Sequence, residues 1–139
     1  ISDADTWALS SYDTALQLDP NNPYLYMQEG NVNYLSKQFA TAQTKLEKSV
    51  ALNPNYSNAL YSLGLVYDAT GHKDKAIEQF TKVQQLNPKD TTISKILANL
   101  KAGLPALQSP TPPTETPPAN SSMGETSTPA EENTAPTKK

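Results

Sequence analysis

The chain has 139 residues, a net charge of −3 and an isoelectric point near 5.0. An acidic chain lacks the basic surface that displaces counterions from phosphate groups, so the composition argues against binding to nucleic acid or to anionic lipid. The absence of cysteine excludes disulfides and thiolate chemistry, and no apolar run approaches the roughly 20 residues of a membrane-spanning helix.

The apolar residues divide the sequence into two parts. Of the 12 prolines, seven follow Ser109, in a stretch that contains no leucine, isoleucine, valine or aromatic residue. Such a stretch has no side chains from which to build a core, so residues 108–139 are predicted to be a disordered tail rich in proline, threonine and serine. Residues 1–107 hold every aromatic side chain and are predicted to form the folded domain.

Helical spacing of the apolar residues, together with residues that begin or end helices, predicts six helices. Asn22 can cap the second helix, and Pro23 suits its first turn. Gly71 marks the turn between the fourth and fifth helices. The predicted helices cover residues 4–18, 23–36, 39–52, 57–70, 73–86 and 91–102.

The last predicted helix has one apolar face. Asp90 or Thr91 can cap its start, and Gly103 with Pro105 ends it. Because polar residues occupy its other sides, the pattern is typical of a helix that caps an array of helices. The residues of the apolar face are Ile93, Ile96, Leu97, Leu100 and Leu104.

A period of 34 residues runs through the predicted helices. The tripeptide Leu-Asp-Pro or Leu-Asn-Pro begins at Leu18, Leu52 and Leu86, and the same spacing relates Gly30 to Gly64. The small residues allow two antiparallel helices to approach closely, and each proline forces the chain to turn after a helix. Small and bulky residues of all three copies also share the spacing: Ala8, Ala42 and Ala76, and Tyr12, Leu46 and Phe80.

The last full copy of this period matches the pattern of a known family. From Leu60 to Pro88 the sequence reads Leu-x2-Leu-Gly-x2-Tyr, then Ala-x3-Phe, then Pro, which resembles the tetratricopeptide repeat. In the preceding copy Glu29 and Asn33 replace apolar residues of the pattern. We expect Tyr34 to cover part of the gap that they leave.

The resemblance implies an all-α fold, a solenoid of antiparallel helix-turn-helix units with about 2.5 repeats and a C-terminal capping helix. The leading half repeat would cover residues 4–20, and the two full repeats residues 23–56 and 57–90. The capping helix would cover residues 91–103.

The resemblance also implies a binding surface. In this family the first helix of each repeat lines a concave groove that receives extended peptides or helices. Carried over position by position, the groove residues are Tyr24, Met27, Gln28, Asn31 and Tyr34 of the first full repeat, and Asn58, Tyr61, Ser62, Leu65 and Asp68 of the second. We expect a non-catalytic protein-protein interaction module whose preferred anchors are Met27, Tyr24 and Tyr61. The alternative is that Tyr34 and Leu65 pack internally and the other residues are ordinary surface.

One variant of the family grips the C-terminal carboxylate of its partner with lysine, asparagine and arginine side chains. Asn31 matches one such asparagine, but Met27 stands where that variant has lysine, and the chain contains no arginine. Arginine is the best bidentate donor for a carboxylate, so we do not expect a receptor of this type.

No constellation of residues with catalytic chemistry is visible in the sequence. The single histidine, His72, falls in a predicted turn, and no other donors have the spacing of a metal site. Glycine-rich phosphate loops and nucleophile elbows are also missing. We therefore expect no enzyme activity, no metal or other cofactor and no small-molecule substrate.

A structural role is the competing hypothesis. Ala8, Tyr12 and Ala15 fit the second helix of a repeat whose first helix would lie upstream of Ile1, which favours a fragment of a larger protein. The Thr/Ser/Pro/Glu character of the tail resembles cell-envelope spacers of bacteria, which favours a bacterial parent. The chain would then be the terminal segment of a longer solenoid or of a membrane-anchored cell-envelope protein, either cytoplasmic or tethered to the envelope through an upstream segment. Self-association through the unpaired first helix, with Trp7 in the contact, would give a homo-oligomer.

Overall fold

The computed structural model describes residues 1–108, and this part of the chain contains six α-helices and no strands. The all-α prediction is confirmed, and each helix begins and ends within one residue of its predicted bounds. The predicted disordered tail lies, from residue 109 onward, outside the described residues. The helices are α1 (Asp3–Leu18), α2 (Pro23–Leu35), α3 (Phe39–Leu52), α4 (Ser57–Ala69), α5 (Lys73–Leu86) and α6 (Thr91–Lys101).

Polar side chains begin three of the helices. Ser2 and Asp5 form a reciprocal capping box at the start of α1, and each side chain accepts a hydrogen bond from the other's main-chain N–H at 3.2 Å. Asn22 caps α2 ahead of Pro23, as predicted. Asp90, one of the two predicted candidates, caps α6. These caps satisfy N–H groups that have no partner within their own helix.

Two glycines set the close approach of the helix pairs α2/α3 and α4/α5. A Cβ atom at Gly30 would lie 2.5 Å from Leu46 Cγ, and one at Gly64 would lie 2.7 Å from Phe80 Cε2. Leu46 and Phe80 are fully buried, so the missing glycine side chains are what makes room for them. The 34-residue period is thus visible as two equivalent helix-helix contacts.

The core is largest around α4, α5 and α6. Leu60, Leu63, Val66 and Tyr67 of α4 are buried in the core, and four residues of the predicted apolar face of α6 are buried as well. The fifth, Leu104, is an exception. Its side chain is 41% exposed, because Gly103 adopts a φ of +77° and turns the chain away after α6 ends.

The two repeats end their first helix in the same backbone conformation with different residues. Gly71 has a φ of +80°, and Lys37, which lies 34 residues earlier, has a φ of +60°. In each case the next N–H group donates a hydrogen bond of 2.8 Å back to the helix, to the carbonyl oxygens of Tyr67 and Asn33 respectively. Lys37 therefore adopts a left-handed conformation that glycine adopts without steric cost.

The two polar residues that depart from the repeat pattern are buried, like the apolar residues that the pattern has at their positions. Glu29 is 1% exposed and Asn33 is 2% exposed. Lys45 Nζ lies 2.7 Å from Glu29 Oε2 and forms an ion pair with it. Burial raises the pKa of Glu29, an effect that Lys45 opposes and the nearby Asp13 reinforces. Tyr34 is partly buried, with its ring 5.8 Å from that of Phe39.

Helix α1 is attached to the rest of the domain through α2, and none of its residues is fully buried. Ser36 Oγ, just after α2, donates a hydrogen bond of 3.0 Å to Asp5 Oδ2. Hydrogen bonds from Ser2 and Ser36 lower the pKa of Asp5. Trp7 is 75% exposed. Among the helices of residues 1–108, none has the length and apolar character needed to cross a membrane.

Candidate functional site

Helices α2 and α4 are the first helices of the two full repeats, and they contact each other directly. The residues at the positions predicted to line the groove form what we call the groove face: Tyr24, Met27, Gln28, Asn31 and Tyr34 on α2, and Asn58, Tyr61, Ser62, Leu65 and Asp68 on α4. Each residue on α4 lies 34 positions after its counterpart on α2, so the two helices present equivalent rows.

The beginning of α2 carries the most exposed aromatic ring of the groove face. Tyr24 is 50% exposed, and its hydroxyl oxygen accepts a hydrogen bond of 2.9 Å from Gln28 Nε2. The two side chains are one turn apart on the helix, so the contact fixes the orientation of the ring without burying it. Asn58 on α4 is exposed, and Asn31 is half-buried.

Tyr61 is the aromatic residue of the groove face on α4. Its ring meets that of Phe80 edge-on, with centroids 5.5 Å apart and an angle of 83° between the planes. Burial raises the pKa of its phenol, and the nearby Tyr34 and Asp90 add to that rise. The half-buried phenol therefore keeps its proton at neutral pH, so its hydroxyl can both donate and accept hydrogen bonds.

Met27 does not belong to the accessible part of the groove face. Its side chain is 5% exposed and lies in the core cluster, so the expectation that Met27 is a preferred anchor is replaced by a packing role. An unbranched thioether side chain can turn inward and fill an irregular gap, which its register position does not reveal. Leu65 is partly buried against the same core.

Asp68, at the end of α4, is already engaged within the chain. Its Oδ1 atom lies 3.3 Å from Lys73 Nζ, and its Oδ2 atom accepts a hydrogen bond of 2.9 Å from the main-chain N–H of Ala106. The second contact joins residues that are 38 positions apart in the sequence. Asp68 thus binds a main-chain group of the segment that follows α6.

That segment, residues 104–108, returns toward α4 after α6, and we call it the returning segment. Asn99 Nδ2 donates hydrogen bonds to the carbonyl oxygens of Ala106 at 3.2 Å and Gln108 at 3.1 Å. Lys73 Nζ donates one of 3.0 Å to the carbonyl oxygen of Leu104. Sequence reasoning missed Asn99 as a site residue, although it continues the 34-residue row of Asn31 and Leu65.

The groove face consists mainly of phenols, amides and apolar side chains. Phenols and amides supply neutral donors and acceptors beside apolar rings, which suits the main chain and apolar side chains of a partner. Residues 1–108 contain no group of three or more potential metal ligands. His72 is exposed at the turn before α5, where Nδ1 lies 3.0 Å from Thr70 Oγ1. Three shallow pockets lie at interhelical turns, and none of the three includes a groove-face residue.

The arrangement defines the class of protein. Antiparallel helix pairs that repeat every 34 residues, with equivalent glycine contacts, are those of a helical-repeat solenoid. Residues 33–100 match the family model described as tetratricopeptide repeat. This region of the chain belongs to the tetratricopeptide-repeat family.

Similar proteins and structures support a role in protein-protein interaction. Anaphase-promoting complex subunit 3 of Schizosaccharomyces pombe is 31% identical over 86 residues, which is 62% of this chain and 13% of that protein. The crystal structure of MamA has a TM-score of 0.65 and 30% identity, and covers 68% of this chain and 56% of its own. The first TPR of Spaghetti (RPAP3), solved bound to the HSP90 peptide SRMEEVD, has a TM-score of 0.66 and 24% identity, and covers 68% and 75%.

This chain is short beside its relatives. It spans between 11% and 26% of the curated proteins that it matches. The similarity therefore concerns the repeat domain.

Proposed function

We propose that the chain binds an extended segment of a partner protein along the groove face, with Tyr24 and Tyr61 as anchors. The observation that carries this proposal is the placement of one exposed and one half-buried tyrosine on two helices that contact each other. Tyrosine contributes a large contact area and a polar tip, and it is enriched at protein interfaces. The RPAP3 domain, whose helices are arranged similarly, holds a peptide.

The chemistry of the groove face favours a neutral partner segment. The groove face contains one charged residue, Asp68, whose carboxylate is paired with Lys73. Its nine remaining residues are uncharged. An acidic peptide such as the one bound by RPAP3 needs cationic side chains to offset the loss of hydration, and the chain has no arginine at all. We therefore propose an apolar or weakly polar segment, held by amides along its main chain and by the tyrosine rings at one or two side chains.

A peptide-display experiment tests this proposal. The full chain is immobilised, peptides are selected from a random library, and their affinities are measured for wild type and for Tyr24→Ala. Truncating an interface anchor should weaken binding about 5- to 30-fold, which corresponds to roughly 1–2 kcal/mol. The matched control is Leu86→Ala, which truncates a 40% exposed side chain at the end of α5 that is not one of the groove-face residues.

The control defines the outcome that counts against the proposal. If Leu86→Ala weakens the selected peptides as much as Tyr24→Ala, or if Tyr24→Ala and Tyr61→Ala leave affinity unchanged, the groove face is not the binding surface. Far-ultraviolet circular dichroism of each variant checks that the helices are intact, because Tyr61 also packs on Phe80.

A second candidate function is self-association through α1, as part of a structural assembly. The observation in its favour is that α1 buries none of its residues fully and leaves Trp7 75% exposed. Face-to-face contact between the α1 helices of two copies would cover that ring. Sedimentation equilibrium over a range of concentrations tests it: a mass that rises in wild type and stays monomeric in Trp7→Glu supports association, and a strictly monomeric wild type rules it out.

A further inference from the structure

We propose that the returning segment is an internal ligand, which occupies the α6 end of the groove and must be displaced before a partner can reach Asp68 and Asn99. This inference deepens the proposed function and rests on it. The segment is held as a bound peptide would be, by side chains of the domain that contact its main chain.

A partner segment can displace the returning segment because the domain holds it by hydrogen bonds to main-chain groups. Asp68, Asn99 and Lys73 make four hydrogen bonds to the N–H of residue 106 and to the carbonyl oxygens of residues 104, 106 and 108. Any extended segment carries these groups, so a partner strand can form the same bonds. Asp68 was predicted as a groove residue, and Asn99 lies on α6 34 residues after another predicted groove residue, Leu65.

The side chains of the returning segment add little to its attachment. Ala106 is 1% exposed, and it buries a single methyl group. Leu104 and Leu107 remain 41% and 58% exposed. Because buried apolar area is the main source of stability, a segment whose two leucines are only partly buried is held less firmly than the helices of the core.

The helices supply most of the core, to which Ala106, the buried residue of the returning segment, adds a single methyl group. Helix α6 packs on α5 with Ile93, Ile96, Leu97 and Leu100, which are all buried. The capping function predicted for α6 is thus fulfilled by its own apolar face. The main chains of α4 and α6 do not approach each other closely, in contrast to those of α2 and α4, and hydrogen bonds to the returning segment link the two helices.

A short tether explains how a weak contact stays closed. The segment begins three residues after the end of α6, where Leu104 N donates a hydrogen bond of 2.9 Å to Asn99 O. A short tether gives an effective concentration on the order of millimolar, so even millimolar intrinsic affinity keeps a large share of molecules closed. The apparent Kd of a partner that competes for the site is then its intrinsic Kd divided by the fraction of open molecules.

Hydrogen exchange of the full chain, followed residue by residue by NMR, tests whether the segment opens on its own. We expect the amide of Ala106 to exchange at least about 10-fold faster than the core amide of Phe80, through an opening that is insensitive to low denaturant. Equal protection of the two amides, with equal dependence on denaturant, would mean that the segment opens only when the domain unfolds, and would overturn the proposal.

A substitution that expels the segment tests whether the site then accepts a peptide in trans. In the full chain, A106E places a carboxylate in a buried position next to Asp68 and should release the segment. The probe is a synthetic peptide with the sequence of residues 101–108, KAGLPALQ, titrated while the NMR signals of Asp68 and Asn99 are observed. We expect A106E to bind the probe at least about 10-fold more tightly than wild type does.

Two further variants make the result specific. L107E adds the same charge one residue later, at a side chain that is 58% exposed, and should leave the segment bound and the probe excluded as in wild type. Adding D68A to A106E should abolish binding of the probe. Equal binding of the probe by wild type, L107E and A106E would overturn the proposal, as would failure of A106E to bind the probe while its helices remain intact.

The peptides selected by display separate this inference from the proposed function. If Tyr24→Ala weakens them while A106E, with its helices intact, fails to bind the probe, the groove face binds partners and the internal ligand is refuted. If A106E binds the probe through Asp68 while no selected peptide depends on Tyr24, the internal ligand stands and the proposed anchors are refuted.

Discussion

Replacing Gly64 with alanine tests the close approach on which each repeat depends. A methyl group at this position would lie 2.7 Å from Phe80 Cε2 and 2.8 Å from Phe80 Cζ. Ordinary carbon-carbon contacts are about 3.5–4.0 Å, so helix or ring must move by nearly 1 Å. The ring is fully buried and meets Tyr61 edge-on, which leaves it little room to turn away.

The size of the effect follows from two opposing contributions. Overpacking a well-filled core typically costs about 1–3 kcal/mol. Alanine is the better helix former by up to about 1 kcal/mol, which offsets part of that cost. We expect Gly64→Ala to lower the free energy of unfolding by about 1–2 kcal/mol, and to lower the melting temperature by roughly 5–15 °C in a domain of this size.

Urea unfolding followed by circular dichroism at 222 nm measures the change, and a second substitution isolates its cause. Val in place of Phe80 removes all three of the ring atoms nearest to the added methyl group. In the Phe80→Val background, Gly64→Ala should therefore be neutral or stabilising. A penalty of the same size in both backgrounds would refute the steric argument, and so would a gain in stability in the wild-type background.

Two further predictions concern stability. Lys37→Gly should stabilise the domain by about 1 kcal/mol because it removes a lysine in the left-handed conformation, and Gly71→Ala should destabilise the domain by a similar amount. Thermal unfolding measures both changes. A shift of the melting temperature in the same direction for the two variants would contradict the argument. The raised pKa of Glu29 means that the folded state holds a proton to higher pH than the unfolded state, so this group costs stability as pH rises from about 4.5 through its raised pKa. The stability of Glu29→Gln relative to wild type should therefore increase with pH in urea titrations, and a difference independent of pH would contradict the burial argument.

The helices and their pairing were predictable because their signals are local. Pro23, Gly71 and the prolines after each second helix act within a few residues of their own position, and the spacing of apolar residues fixes which side of each helix faces inward. The contacts of Gly30 and Gly64 follow from the same period. These features depend on backbone sterics and periodicity, which a sequence displays directly.

The features that the sequence could not predict are the burial of individual side chains and the contacts between residues that lie far apart in the sequence. Met27 and Tyr61 occupy equivalent positions, yet the flexible methionine is buried and the tyrosine is only half-buried. Glu29 is buried because Lys45 on the next helix supplies an opposite charge. The bond between Asp68 and Ala106 spans 38 residues, and no periodic pattern announces it.

The weak attachment of α1 determines what intrinsic fluorescence reports about this domain. Trp7 is the only tryptophan of the chain, and it lies 75% exposed on the one helix that has no fully buried residue. A helix with so little buried area detaches at lower denaturant than the core around Phe80 does. Emission from Trp7 therefore follows the detachment of α1. The denaturant midpoint of this emission falls below the midpoint of the helical circular dichroism signal. Fluorescence and circular dichroism together thus separate partial from complete unfolding.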